Sequence, residues 1–350
     1  MSTALSSACP ACLDIHTHVV PRDFPRYAGK HQGARWPSMA AGPGCHRHVM
    51  LDGSVYRTVN QACWDMAARR DAMQDRQTTG HVLSPMPELL SYWLAPDDGL
   101  AMCRYLNDQI AMLAAFDPGR FHGLGAVPLQ DVDAACRELE HVARTGLAGV
   151  EIGTNVQGVP IGDARFLPFF QTVRELDLAV FVHPLRPVGT ERLVGPAGLA
   201  PLLAFPGETG LAAASLMTCG LPARVPGLRI AFSHGGGTLA MLLPRLQHGW
   251  ETFEHVRAAM AASPREMARA FFYDSLVYDR DALRHLVTVF GETQVCVGSD
   301  FPFRIAEPRP RERVLQLGLD ADTTEKMLHG NARRWLGGTR PSSPTSSPTL

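Results

Sequence analysis

The chain has 350 residues, 45% hydrophobic and 19% charged, with a formal net charge of -1. That length buries a full core, as one large α/β barrel or as two medium domains, and the composition excludes a disordered chain. Near-zero charge without a long run of either sign excludes the electrostatic footprint of a nucleic-acid binder, and no apolar stretch approaches the length of a membrane span.

Residues 1–8 lack the basic start and apolar core of a secretory signal, so a cytoplasmic location is expected. The 8 cysteines are scattered rather than spaced as a disulfide framework. Cys9-Pro10-Ala11-Cys12 has no second pair to complete a zinc ribbon and runs into a strand rather than a helix, so it reads as chance.

The first strand-like run, residues 12–16, ends in Asp14-Ile15-His16-Thr17-His18. A long connection follows, residues 21–60, in which 49–51 and 55–59 flank Asp52-Gly53, a strong hairpin signal; it is expected to be a small insertion over the active-site mouth. Further apolar runs lie at 81–84, 122–127, 148–152, 179–183, 229–233, 271–274 and 294–298. Between and after them come helix-compatible segments at 66–79, 99–116, 132–144, 166–175, 210–221, 240–253, 281–290 and 323–335. The runs are continuous rather than alternating, as strands buried on both faces require. Alternating strands and helices in this number give an α/β fold, a (β/α)8 TIM barrel. One domain is expected over residues 1–336, with a disordered tail of Ser, Pro and Thr over 337–350.

The polar residues collect at strand ends. His16 and His18 are two apart on one strand and so share a face. Strand 5 ends in Phe181-Val182-His183-Pro184, strand 6 in Phe232-Ser233-His234-Gly235-Gly236-Gly237, and strand 8 in Val297-Gly298-Ser299-Asp300. Each motif alone is weak; four strand ends converging on the C-terminal mouth of one barrel form a strong joint signal. Imidazoles with a carboxylate suit Zn2+, with Fe2+ or Mn2+ as alternatives. His234 can also take up and return a proton near an unperturbed pKa of about 6.5, and the glycines after it let backbone or substrate approach closely.

This order of ligands resembles the amidohydrolase superfamily. Cys63-Trp64-Asp65, Val127-Pro128-Leu129-Gln130, Phe205-Pro206-Gly207-Glu208-Thr209 and Gly298-Ser299-Asp300-Phe301-Pro302-Phe303 make it similar, more narrowly, to the 2-amino-3-carboxymuconate 6-semialdehyde decarboxylase-like branch, with weaker likeness from about residue 12 to 336. The resemblance implies that His16, His18, His183 and Asp300 hold the metal. Glu151-Ile152-Gly153-Thr154 stands at the end of strand 4 where a bridging lysine would be, which implies one zinc per subunit rather than two. It further implies that His234 is catalytic, that Arg57 binds a small carboxylate substrate, and that Arg245 reaches into the neighbouring site of a homodimer. The implied activity is zinc-dependent non-oxidative decarboxylation of an unsaturated or aromatic carboxylic acid. The alternative is a metal-dependent hydrolase or hydratase, since one such site serves all three chemistries. The chain departs from the branch at Leu185 and Arg186 and over residues 194–203, which carry no aromatic side chain. That segment is expected to line the pocket, so the substrate is left open. His46 and His48 are expected at the surface.

Overall fold

The computed structural model describes residues 11–338. The expectations for the first eight residues, for Cys9 and for the tail beyond 338 lie outside the described residues.

Eight parallel strands form one sheet in chain order: Leu13–Val19, Gly80–Pro85, Phe121–Gly125, Gly149–Gly153, Ala179–His183, Arg229–Phe232, Phe272–Asp274 and Val295–Cys296. The sheet curls until its edges meet. The Ile15 amide donates to the Val297 carbonyl at 2.9 Å and the Asp300 amide to the His16 carbonyl at 2.8 Å, while Thr17 bridges Phe301. The helices pack outside, as buried parallel strands demand. The helix Met66–Arg76 starts on Asp65, whose carboxylate accepts from the Ala67 and Ala68 amides. Asp131 and Asp279 cap Val132–Arg144 and Arg280–Phe290 in the same way. Among the described residues no helix is long and apolar enough to cross a membrane.

Inside the barrel, Ile15, Val82, Leu124, Phe181, Phe272 and Trp335 form a separate apolar cluster. Trp335 belongs to the last helix, Asn331–Leu336, and its indole N–H reaches the Val180 carbonyl at 3.2 Å.

The first strand carries a departure from simple alternation. Its register against the second strand slips by one between Asp14 and Thr17. Ile15 therefore lies in the interior apolar cluster, and the next residue, His16, also faces in, with its ring 5.1 Å from that of Phe181. Such a bulge re-aims a side chain. Here it moves the strand from apolar core to polar mouth within two residues.

The insertion is a three-stranded antiparallel sheet, Ser38–Ala41, Arg47–Leu51 and Ser54–Val59. Its hairpin turns on Asp52 and Gly53, with φ 53° and 72°; the left-handed conformation at both positions is what an Asp-Gly turn supplies. The first of these strands was not expected from the sequence. It is short and neither of its end residues is buried, so it carries little pattern.

Candidate metal centre

His16, His18, His183 and Asp300 converge at the C-terminal mouth. All four are buried, and each offers a ligand atom within 4.8 Å of the others. The three imidazoles are held alike. His16 Nδ1 lies 2.6 Å from Asp274 Oδ2, His18 Nδ1 lies 3.0 Å from the Pro85 carbonyl, and His183 Nδ1 lies 3.0 Å from the Pro184 carbonyl. An acceptor beside each Nδ1 keeps the proton there and turns the bare Nε2 inward. His16 Nε2 and His18 Nε2 then stand 3.1 Å apart, and Asp300 Oδ1 lies 3.1 Å from His18 Nε2. His183 Nε2 and Asp300 Oδ1 are buried with no hydrogen-bond partner. Lone pairs and a carboxylate facing one another in a dry space repel unless a cation sits among them. The donor set fits a divalent metal, and the arrangement is a metal site.

The electrostatics agree. Burial, then the neighbouring His234 and His18, hold His183 well below its usual range, so it is a neutral donor. Burial lowers His18 too. At His16 burial is outweighed by hydrogen bonds to Asp274 and Asp300, which push it up to about 10. Two carboxylates thus call for positive charge at this spot, which a bound cation meets as well as a proton does.

The expectation of a single metal meets its counterpart at the fourth strand. Glu151 is buried with both oxygens unpartnered, and its nearest basic nitrogen is His18 Nδ1 at 3.7 Å. Burial holds its carboxyl well above the ordinary range. A buried carboxyl behind a ligand thus stands where a lysine bridging two ions would be.

Asp274 is the organising residue that the sequence reading missed. It ends the seventh strand, and besides orienting His16 it accepts from the backbone N–H of His234 at 2.9 Å, of Gly235 at 2.7 Å and of Leu276 at 3.0 Å. It thereby fixes the turn that carries His234. That turn keeps a positive φ through His234, Gly235, Gly236 and Gly237, at 54°, 63°, 75° and 59°. A Cβ on Gly237 would lie 2.0 Å from the Pro206 carbonyl oxygen. The close approach the glycines allow is therefore largely to the protein's own backbone and side chains.

His234 stands over the site, its ring 5.1 Å from that of His183 and 5.3 Å from that of His16. It differs from expectation in acidity. Burial and the charge at His16 outweigh Asp274 and Asp300 and hold it down at about 4, well below an ordinary imidazole.

A cavity of about 530 Å³ opens above the ligands and is lined by His183, His234 and Asp300 together with Arg57, Glu88 and Phe303. Arg57 comes from the last strand of the insertion, stacks 4.3 Å over the Phe303 ring and lies 3.5 Å from Glu88. Gly198, Pro201 and Leu202 of the altered segment also line it. Leu185 and Arg186 do not; they line a smaller cavity of about 320 Å³ with Tyr92 and Trp93, and Arg186 stacks 4.2 Å over Trp93. Arg245 is exposed on the helix Leu239–Thr252 and is absent from the wall of this chain's own cavity. His46 is exposed, and His48 bonds Thr58 Oγ1 at 2.9 Å within the insertion.

Residues 13–338 match the family model described as Amidohydrolase. The chain is 35% identical to the 2-amino-3-carboxymuconate-6-semialdehyde decarboxylase of Dictyostelium discoideum over 93% of this chain and 91% of that one. It is 30% identical to the gamma-resorcylate decarboxylase of Rhodococcus jostii over 58% of this chain and 66% of that one. Among solved structures, the 5-carboxyvanillate decarboxylase of Sphingomonas paucimobilis superposes with a TM-score of 0.70 at 26% identity, covering 78% of this chain and 83% of that one.

Proposed function

The chain belongs to the amidohydrolase family, and from that premise we propose that it is a metal-dependent decarboxylase, a carboxy-lyase releasing CO2 without oxidation from an unsaturated or aromatic carboxylic acid. One observation carries this reading: His234 and two ligands of the metal centre, His183 and Asp300, line one cavity with Arg57, in a chain similar along nearly its whole length to a decarboxylase.

His16, His18, His183 and Asp300 hold the metal, and three imidazoles with one carboxylate suit zinc, with Fe2+ or Mn2+ as alternatives. When bound, such a cation supplies Lewis acidity, drawing electron density from a nearby substrate oxygen. Arg57 binds the substrate carboxylate through its planar guanidinium, held flat by the Phe303 ring. Phe205, Pro206 and Leu276 give the cavity apolar walls that exclude water. In the reaction the carbon–carbon bond to the carboxylate breaks, its electron pair stays on the substrate carbon, and a proton joins that carbon. That proton comes from solvent by way of His234, which is neutral and over the site: its imidazole takes the proton up and passes it to the substrate carbon as CO2 leaves.

A homodimer in which Arg245 completes the neighbour's site is supported by the exposed face around it. Met241 is 74% and Leu242 40% exposed on the same helix, an apolar surface of the kind a subunit contact covers.

The test is to reconstitute the protein with zinc, then with manganese, and measure CO2 from 2-amino-3-carboxymuconate semialdehyde and from ortho-hydroxybenzoates. Metal-dependent CO2 release is expected. A hydrated or ring-opened product without CO2 overturns the decarboxylase reading in favour of a hydratase or hydrolase.

A further inference from the structure

Glu88 lines the same cavity, and the reaction as described has no use for it. It sits in the turn Pro87–Leu90 just after the second barrel strand and is only 7% exposed. Its two oxygens are treated differently. Oε1 accepts from the Tyr56 hydroxyl and faces Arg57 at 3.5 Å. Oε2 is buried with no hydrogen-bond partner. A bare carboxylate oxygen is costly to bury, and an apolar side chain would fill the place without that cost. The wall around it is otherwise set for anions and hydrocarbon: the arginines Arg57 and Arg304, the metal ligands, and residues such as Leu276 and Phe303. Asp300 belongs to the metal quartet, so Glu88 is the one carboxylate of the described wall left open to a substrate. One oxygen is anchored and the other is buried without a partner. Such a group is arranged to read a donor on whatever fills the cavity.

We propose that Glu88 Oε2 accepts a hydrogen bond from a hydroxyl or amino substituent of the substrate, making Glu88 a specificity-determining residue. The substrates are then acids that carry such a donor in addition to the carboxylate they lose. A methoxy group or a second carboxylate at that position is disfavoured, the first for want of a proton and the second by like charge. The inference rests on the reading of this cavity as the substrate site.

The metal-reconstituted protein is titrated calorimetrically with benzoates bearing hydroxyl, amino, methoxy or hydrogen at each ring position, with CO2 measured in parallel. At one position the hydroxyl or the amino compound is expected to bind about 10–100-fold more tightly than its methoxy counterpart, the scale of a hydrogen bond to a charged group; which of the two gains identifies the donor. Glu88→Leu brings that ratio close to one, and Glu88→Gln, which keeps the shape, reduces it at least several-fold. If the variants lose affinity equally for every compound, Glu88 is only a brace for Tyr56 and Arg57 and the proposal falls. It falls also if the wild-type protein shows no donor-dependent binding. Donor-dependent binding that requires Glu88 but releases no CO2 leaves the proposal standing and removes the decarboxylase reading instead.

Discussion

His16 Nδ1 and Asp274 Oδ2 stand 2.6 Å apart, both wholly buried, although 258 positions separate them in the chain. Through this contact the end of the seventh strand aims a ligand on the first. The same carboxylate holds the His234 and Gly235 amides, so one side chain sets the ligand and the proton-carrying turn together.

Asp274→Asn is therefore expected to weaken both functions while leaving the barrel folded. The amide keeps the volume but presents a neutral oxygen to His16 and a donor toward the backbone amides. Loss of an outer partner of a metal-bound histidine costs about 10–100-fold in metal affinity or activity. Competition with a chromophoric chelator measures the metal affinity; an unchanged value would mean that Asp274 does not orient His16.

Removing the metal should destabilise the fold at the mouth, because the ligand atoms are then left facing one another. At a free metal concentration about a thousand times Kd, binding stabilises by about 4 kcal/mol. With an unfolding entropy of about 2.1 cal/mol/K per residue, a chain of this length loses about 6 °C in Tm when stripped by a chelator. Calorimetry with and without the chelator reads this directly. In His183→Ala the chelator effect should shrink or vanish; if it persists in full, the ion sits elsewhere.

The depressed acidity of His234 has a sign that can be checked. Burial and the charge at His16 hold it at about 4, and a cation bound among the ligands takes the place of that charge in disfavouring its protonation. His234 is therefore neutral throughout the physiological range. With metal kept saturating, kcat/KM should show no acidic limb near the pKa of about 6.5 that an ordinary histidine has. An inflection at that value, absent in His234→Asn, would contradict the assignment. The same variant should lower kcat by about 100–10,000-fold, the usual contribution of a positioned acid–base group, with metal affinity unchanged.

The strand ends were legible because burial on both faces leaves continuous apolar runs, and a histidine closing such a run stands out. Period-two geometry placed His16 and His18 on one face, and the structure agrees. The bulge between Asp14 and Thr17 was not legible, since a one-residue slip is set by the neighbouring strand rather than by local composition. Asp274 escaped for a related reason. An aspartate at the end of a short strand is common, and its partners lie on two other strands. Arg69 is a further case: an arginine in an amphipathic helix reads as solvated, yet it is wholly buried, bonding the Ala62 carbonyl at 2.9 Å, Thr17 Oγ1 at 3.1 Å and the His18 carbonyl. Glu88 and Tyr56 form their pair only because the insertion folds back over the mouth. Contacts between distant segments leave no periodic trace.

Arg245 separates a site completed by a second subunit from one that is whole within a single chain. It is exposed and absent from the wall of its own chain's cavity, on a helix whose neighbouring Met241 and Leu242 are exposed as well. If it serves the adjacent subunit, Arg245→Ala and His234→Asn should each be nearly inactive alone. Mixed and allowed to exchange subunits, they should regain activity. A hybrid dimer then holds one site with an intact His234 and an arginine supplied by its neighbour, while its other site lacks both. The regained activity should approach about one quarter of wild type at equal mixing, since half of the dimers are hybrids and each carries one working site of two. This follows from closed two-fold symmetry, in which each subunit gives what it receives. No recovery on mixing, with Arg245→Ala fully active by itself, would place the arginine on an ordinary solvated surface.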